Sequence, residues 1–419
     1  LVLFDPGLSR AVGHHADVNA LLLPALGQAG WQPELWADAV ADAPLPGLRP
    51  FLQDAGYIDP RHWCDLAGCL HQASRLRRQL ETPAADGEPV AAWLAHSLLP
   101  FQLIALAQLL QGQPPARVLL CLMFPPGEVF AGQPDHDLQT QRLAAAATSS
   151  AALAALALAA QRGGHQLQLA AGSQQLIDRY APLCAASGLA APLLHPAITG
   201  GGEELGHSAG PAPGDQCSRP RILLHWGERK PDKGRELALA LLEQLLEHEP
   251  PAPLADAHWS FHAAGIAPIS ERALLERAAA HPQIRLLEGH QPRAVMVREL
   301  AASDLVLLPY CPIAYAERSS GVLWLYGAAR LAMGRPARVV GVAGGWLATE
   351  AEALGMHWQP LPEAATALQR LEALAAIAAA SSEATTDTRD ATFTPYGRAV
   401  LGEPFAAWVA QHLAADSLI

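Results

Sequence analysis

Residues 225–234, His-Trp-Gly-Glu-Arg-Lys-Pro-Asp-Lys-Gly, gather glycines and three basic side chains in one short stretch. The apolar run before them, 221–225, reads as a buried strand, and the leucines of 235–247 recur at helical spacing. A strand-to-helix turn offers backbone N–H groups and the positive end of a helix dipole. With Gly227 allowing close approach and Arg229, Lys230 and Lys233 adding charge, the turn suits a diphosphate, which several donors must meet at once. A solvated basic turn is the alternative. Ser319-Ser320-Gly321, ahead of a helix, can supply further donors to phosphate, or can be an ordinary N-cap. Near the start, Asp5-Pro6 closes a strand and Gly13-His14-His15-Ala-Asp17-Val-Asn19 leads into a helix. Gly13 lets a ligand approach the backbone, and His14 or His15 can hydrogen-bond a sugar or a leaving phosphate. The alternative has one histidine capping the helix and the other buried.

The elements that must position these groups alternate. Strands are expected at 1–4, 34–36, 117–124, 166–171 and 193–195, with helices at 17–30, 139–162 and 173–187, and 50–115 reads as mainly helical. Residues 199–220, rich in Gly and Pro, form the clearest linker. After it, strands at 221–226, 259–263, 284–287, 305–308 and 337–342 alternate with helices at 235–248, 270–280, 292–302, 321–333 and 347–354. Closing helices are expected at 361–380 and 404–415, the latter able to pack back on the first domain. Such alternation implies parallel sheets, with ligands at the carboxyl ends of the strands. The domain reading is 1–198, a linker at 199–219, a second domain at 220–390 and a closing helical region at 391–419.

Composition narrows the class. In 419 residues, 51% are apolar and 16% charged, which excludes a disordered chain and requires more than one core. A net charge of −12 argues against nucleic acid as a partner. The six cysteines include no CxxC pair and read as reduced thiols of a cytoplasmic protein, with no signal peptide ahead of the first strand. The alanine-rich 143–160 reads as a buried or amphipathic helix rather than a membrane span.

From 220 to 345 the order of elements resembles the nucleotide-sugar domain of GT-B glycosyltransferases, family 4 above all. Gly227, Lys233 and Gly234 match that family's glycine and the Lys-Gly six and seven residues after it, although Glu228 stands where its arginine does and Arg229 follows. Residues 259–265 resemble the next strand, and 284–291 with 302–310 resemble the base-binding turn and the strand beyond it. The resemblance therefore implies base contacts at Gly265, Gly289, His290 and Gln291. The family usually carries two glutamates eight residues apart around a glycine. Here Arg318 occupies the first register, and Leu325 and Tyr326 fall at the second. Glu317 is then the candidate for contact with sugar hydroxyls, and Arg318 joins Ser319, Ser320 and Gly321 at the diphosphate. The Asp-Pro and Gly-His-His pair resembles a bacterial subset of the fold.

The resemblance implies an α/β protein of two Rossmann-like domains facing across a cleft. It implies transfer of a hexose-like sugar from a nucleotide-diphosphate donor, with retention of configuration and without metal. No cofactor is expected beyond the nucleotide-sugar co-substrate, and the acceptor is a glycan, a lipid-linked species or a small molecule. The departures from the glutamate pattern keep two rivals open, a sugar-nucleotide epimerase and a non-catalytic binding subunit. Asp135-His136-Asp137 and the set His62, Cys64, Cys69 and His71 lack standard metal spacing for this architecture, so no metal is assigned. Arg75, Arg77 and Arg78 form a basic helix face suited to weak peripheral membrane contact or, more simply, to solvent.

Overall fold

Parallel strands buried on both faces need apolar residues at consecutive positions, and the sequence supplies them. The computed structural model describes residues 1–11, 13–56, 65–85, 89–127, 138–199, 219–227, 231–265, 267–362, 365–383 and 393–414. Two compact units emerge, Leu1–Ile198 with Phe405–Ile419, and Thr199–Pro404.

In the first unit, β1 (Val2–Asp5), β2 (Glu34–Asp38), β3 (Leu48–Leu52), β4 (Ala92–Ala95), β5 (Arg117–Leu122), β6 (Gln166–Ala171) and β7 (Leu193–Leu194) form one parallel sheet. Its order is β3-β2-β1-β4-β5-β6-β7. Val2 and Phe4 of β1 join the core beneath α2 (Leu66–Ala85), α3 (Pro100–Leu110) and α4 (Leu138–Gly163), while Leu3 joins the core beneath α1 (His14–Gln28). Helix α5 (Gln174–Ala186) starts at Ser173, whose side chain accepts from Leu176 N. The stretch Arg142–Gly163 is long and apolar enough to cross a membrane by composition. In this fold its Ala152, Leu153, Leu156 and Ala159 are fully buried, and α4 packs on α3.

The second unit repeats the plan. Strands β8 (Arg221–Gly227), β9 (His258–Ala263), β10 (Ile284–Glu288), β11 (Leu305–Leu308), β12 (Arg338–Val342) and β13 (His357–Leu361) run parallel in the order β10-β9-β8-β11-β12-β13. Around them lie α6 (Arg235–Glu247), α7 (Ile269–Ala279), α8 (Arg293–Ala302), α9 (Gly321–Ala332), α10 (Gly345–Leu354) and α11 (Ala367–Glu383).

Four expectations are corrected. The stretch 50–115 holds β3 and β4 besides its helices; β4 is four buried residues, too short to show a period. Residues 357–361 are a strand, so the helix expected from 361 begins at 367. Helix α1 begins at His14, three residues ahead of Asp17. The closing region 391–419 is not one body. Helix α12 (Pro395–Gly402) packs on α9 and α10, whereas α13 (Phe405–Leu413) packs on α1 in the first unit. Residues 200–218 of the linker lie outside the described residues.

Helix α12 is tied to α10 by a buried acid. Glu350, 1% exposed, accepts from Trp324 Nε1 and from the Tyr396 hydroxyl, each at 3.2 Å. Burial pushes its carboxyl up to about 7, and these two hydrogen bonds only partly offset that. The folded chain keeps a proton that the unfolded chain releases near pH 4.5. This group therefore lowers stability as pH rises from about 4.5 to 7, by up to roughly 3 kcal/mol. Glu350→Gln should remove that slope, which denaturant unfolding at pH 5 and pH 8 would measure; an unchanged slope would place the proton elsewhere.

Candidate functional site

In each sheet the connections leave the central strand pair in opposite directions, β1 with β4 and β8 with β11. The carboxyl ends of such a pair open a crevice where ligands bind in parallel α/β sheets.

In the second unit, Gly227 ends β8 at φ +62, a backbone state that favours glycine. A Cβ there would lie 3.3 Å from Lys233 Cδ, so the lysine stem rests on bare backbone. Its ammonium then sits over Tyr310 at 4.1 Å and Tyr315 at 4.8 Å from the ring centroids. Gly234, at φ +74, allows the turn to press on the strand end after β11, where a side chain would collide with the Pro309 carbonyl. Cys311 N donates to Asp232 O at 2.9 Å and fastens the same contact. Beneath the lysine, the Tyr310 hydroxyl and His225 Nδ1 are 2.7 Å apart. Burial holds the His225 imidazole well below its usual range, with His262 and Lys233 adding to this. Burial likewise raises the Tyr310 phenol. Both shifts keep the two groups neutral near pH 7.

Helix α9 enters from the same side. Ser320 is its N-cap, accepting from Leu323 N at 3.4 Å, and Gly321 is its first residue. The N-cap alternative therefore accounts for Ser320; Ser319 lies just outside, half-buried. Arg318 turns to Asp232, with Nη1 3.3 Å from Oδ2. Glu317 is half-buried in the loop before the helix. Around the strand ends, Ala264 N donates to Gly227 O at 2.7 Å and Gly289 N to Ala263 O at 3.0 Å. This lines up the residues that follow β8, β9 and β10, including Gly265 at φ +83 and Gly289 at φ +76. His290 is exposed, and Gln291 Nε2 donates to Glu288 O at 2.6 Å. His262, 6% exposed, has no hydrogen bond of good geometry at either ring nitrogen among the described residues. Burial lowers its imidazole to about 4, and the Gly289 backbone only partly offsets that. Glu228, Arg229 and Lys230 lie outside the described residues.

In the first unit, Asp5 ends β1 with its carboxylate buried. Oδ1 receives His15 Nδ1 at 2.7 Å and Gly7 N at 3.2 Å. Oδ2 receives Asn19 Nδ2 at 2.6 Å, and His96 Nε2 lies 3.3 Å away. Burial opposes the charge, yet His15 and His96 together hold the Asp5 carboxyl well below the usual range. His15 is brought here by Gly13, the N-cap of α1 at φ +97. Neither histidine caps the helix by its side chain. His14 is exposed, its ring 5.6 Å from His15 and 6.0 Å from His96.

Sequence reasoning missed His96, Asn19, His225, Tyr310 and His262. Asn19 had a signal, since it stands four residues after His15 on one helix face. His96 follows the unrecognised β4. Of the weaker candidates, Asp135, His136, Asp137, His62 and Cys64 lie outside the described residues, while Cys69 is buried and His71 exposed on α2. Arg75 pairs with Asp54 at 2.9 Å and Arg77 with Glu81 at 2.6 Å.

Solved structures share this architecture along nearly the whole chain. The α,α-trehalose 6-phosphate synthase of Burkholderia multivorans superposes with a TM-score of 0.59 at 13% identity, covering 99% of this chain and 98% of that one. A trehalose-6-phosphate protein from E. coli bound with UDP-2-fluoro glucose gives 0.56 at 13%, covering 98% of each. The fold is GT-B. WaaG, a glycosyltransferase involved in lipopolysaccharide biosynthesis, agrees, with a TM-score of 0.52 at 13% identity over 99% of this chain and 100% of that one. No protein-family model and no curated protein matches the sequence.

The two glycines of the second unit should respond differently to substitution. Gly234→Ala meets the Pro309 carbonyl and a left-handed backbone, and should cost at least roughly 1–3 kcal/mol. Gly321→Ala has open space and should stay within about 0.5 kcal/mol of the parent. Equal denaturation midpoints for the two variants would contradict this packing.

Proposed function

We propose that the chain transfers a sugar from a nucleotide-diphosphate donor to a hydroxyl of an acceptor. The observation that carries this reading is Lys233, whose ammonium is fixed over two tyrosine rings beside the bare backbone of Gly227, at the strand ends where α9 begins. As the bond from sugar to diphosphate lengthens, negative charge gathers on the leaving phosphate. A fixed ammonium and the N–H groups that open α9 stabilise that charge without having to reorganise, and each such donor contributes roughly 3–4 kcal/mol. Gly265, Gly289, His290 and Gln291 receive the base. In the first unit His15, held by Asp5, hydrogen-bonds the reacting sugar or its phosphate, while Glu317 contacts sugar hydroxyls. The reading includes retention of configuration and a diphosphate neutralised by the protein's own cations.

Lys233→Ala should weaken nucleotide-diphosphate binding by roughly 10- to 100-fold, the equivalent of about 1.5–3 kcal/mol for a charge-assisted contact. Calorimetric titration with UDP, GDP, ADP and dTDP would measure this; undiminished affinity removes the lysine from the site.

His15→Ala should lower the rate of sugar transfer more than it lowers donor affinity, because its contact matters most as charge develops. A loss confined to donor affinity would assign His15 to ground-state binding. Conversion of the donor with no acceptor present would favour the epimerase reading instead.

A further inference from the structure

Asp5, His15 and His96 carry more than a hydrogen-bonded histidine needs. Asn19 Nδ2 donates to Asp5 Oδ2 at 2.6 Å, which fixes the amide so that its Oδ1 faces His96 Nε2 at 3.2 Å. On its other side, His96 Nδ1 lies 3.3 Å from Ser97 Oγ, and that hydroxyl donates to Met123 Sδ at 3.3 Å. His96 Nε2 therefore faces two oxygen atoms, Asn19 Oδ1 and Asp5 Oδ2, at 3.2 and 3.3 Å. A ring nitrogen and two oxygens converging in a buried place make a donor set that a transition metal ion can join. The contacts to the Asp5 carboxylate come from Gly7, His15, Asn19 and His96, with no lysine or arginine among the described residues.

We infer that Asp5, His15 and His96 form a binding site for one divalent first-row transition metal ion. Each offers one ligand atom, and these atoms lie within 4.8 Å of one another. Ligands on a tetrahedral ion at about 2.0–2.1 Å stand roughly 3.3 Å apart. His96 Nε2 and Asp5 Oδ2 already have that spacing. The outer contacts are those that orient metal ligands: Ser97 Oγ lies against the second nitrogen of His96, and Asn19 braces the carboxylate. Two imidazoles and a carboxylate suit zinc, cobalt or iron(II) and not magnesium. The site departs from the metal-free expectation of the sequence, and its three residues belong to the first unit. The inference does not rest on the transfer reading, because metal uptake is read on the protein without donor.

The test strips the full chain with chelator, adds zinc or cobalt(II), dialyses, and measures metal content, visible cobalt bands and the melting temperature. The expected result is one ion per chain, ligand-field bands of cobalt bound to nitrogen and oxygen, and a raised melting temperature. Asp5→Asn and His96→Ala alter buried groups, so the deciding variant is His15→Ala, at a partly exposed helix start. It should keep the melting temperature of the chelated parent and bind cobalt at least about 10-fold more weakly. His14→Ala, one residue away, should keep uptake. Absence of bound metal in the parent, or equal uptake by the parent and His15→Ala, overturns the proposal.

Discussion

In a parallel sheet whose connections diverge from the middle, the ends of the two central strands have no crossover helix of their own above them. Polar groups placed there must satisfy one another or a ligand. Both units obey this constraint. In the first, Asp5 at the end of β1 and His96 after β4 meet across the divergence, and α1 adds His15 and Asn19. In the second, His225 on β8 meets Tyr310 after β11. The left-handed turn at Gly13 and the close approach of Gly234 to Pro309 follow from it, because both bring a helix start to the strand ends.

The two crevices solve different electrostatic problems. That of the first unit buries a carboxylate and surrounds it with imidazoles. That of the second holds a cation against aromatic faces, an arrangement in which the rings offset part of the lost hydration, by about 0.5–2 kcal/mol. A lysine held this way surrenders little further freedom when an anion arrives, because its stem already lies along Gly227. The neutral His225–Tyr310 pair below it adds no competing charge.

What could be read from the sequence followed from periodicity. The spacing of Gly227, Lys233 and Gly234 marked a strand-to-helix turn, and the apolar runs of β5 and β8 marked strands covered on both faces. The fold class was legible because such units recur along the chain. What escaped depended on topology or on brevity. Ala92–Ala95 is four buried residues with no polar partner to reveal an alternation, so β4 was lost, and His96 with it. The pairing of Asp5 with His96 joins positions that only the strand order makes neighbours. Ser320 was legible both as a cap and as a ligand, and the hydrogen bond to Leu323 shows the cap. Helices α12 and α13 are separated by two residues, Glu403 and Pro404, and nothing in their composition assigns them to different units.

That last division has a consequence for how the molecule is made. Phe405, Trp408, Val409 and Leu413 of α13 belong to the same core as Leu3, Leu22 and Leu35, and Arg117 donates to the Leu413 carbonyl at 2.8 Å. Residues Thr199–Pro404 must be synthesised before α13 leaves the ribosome, roughly 10–40 s at ordinary elongation rates. Through that interval the amino-terminal half carries an unroofed apolar face on α1, although its sheet has long been complete. The second unit, later in order, has every strand and helix of its own in hand first. The half that is translated first is therefore the half that finishes folding last.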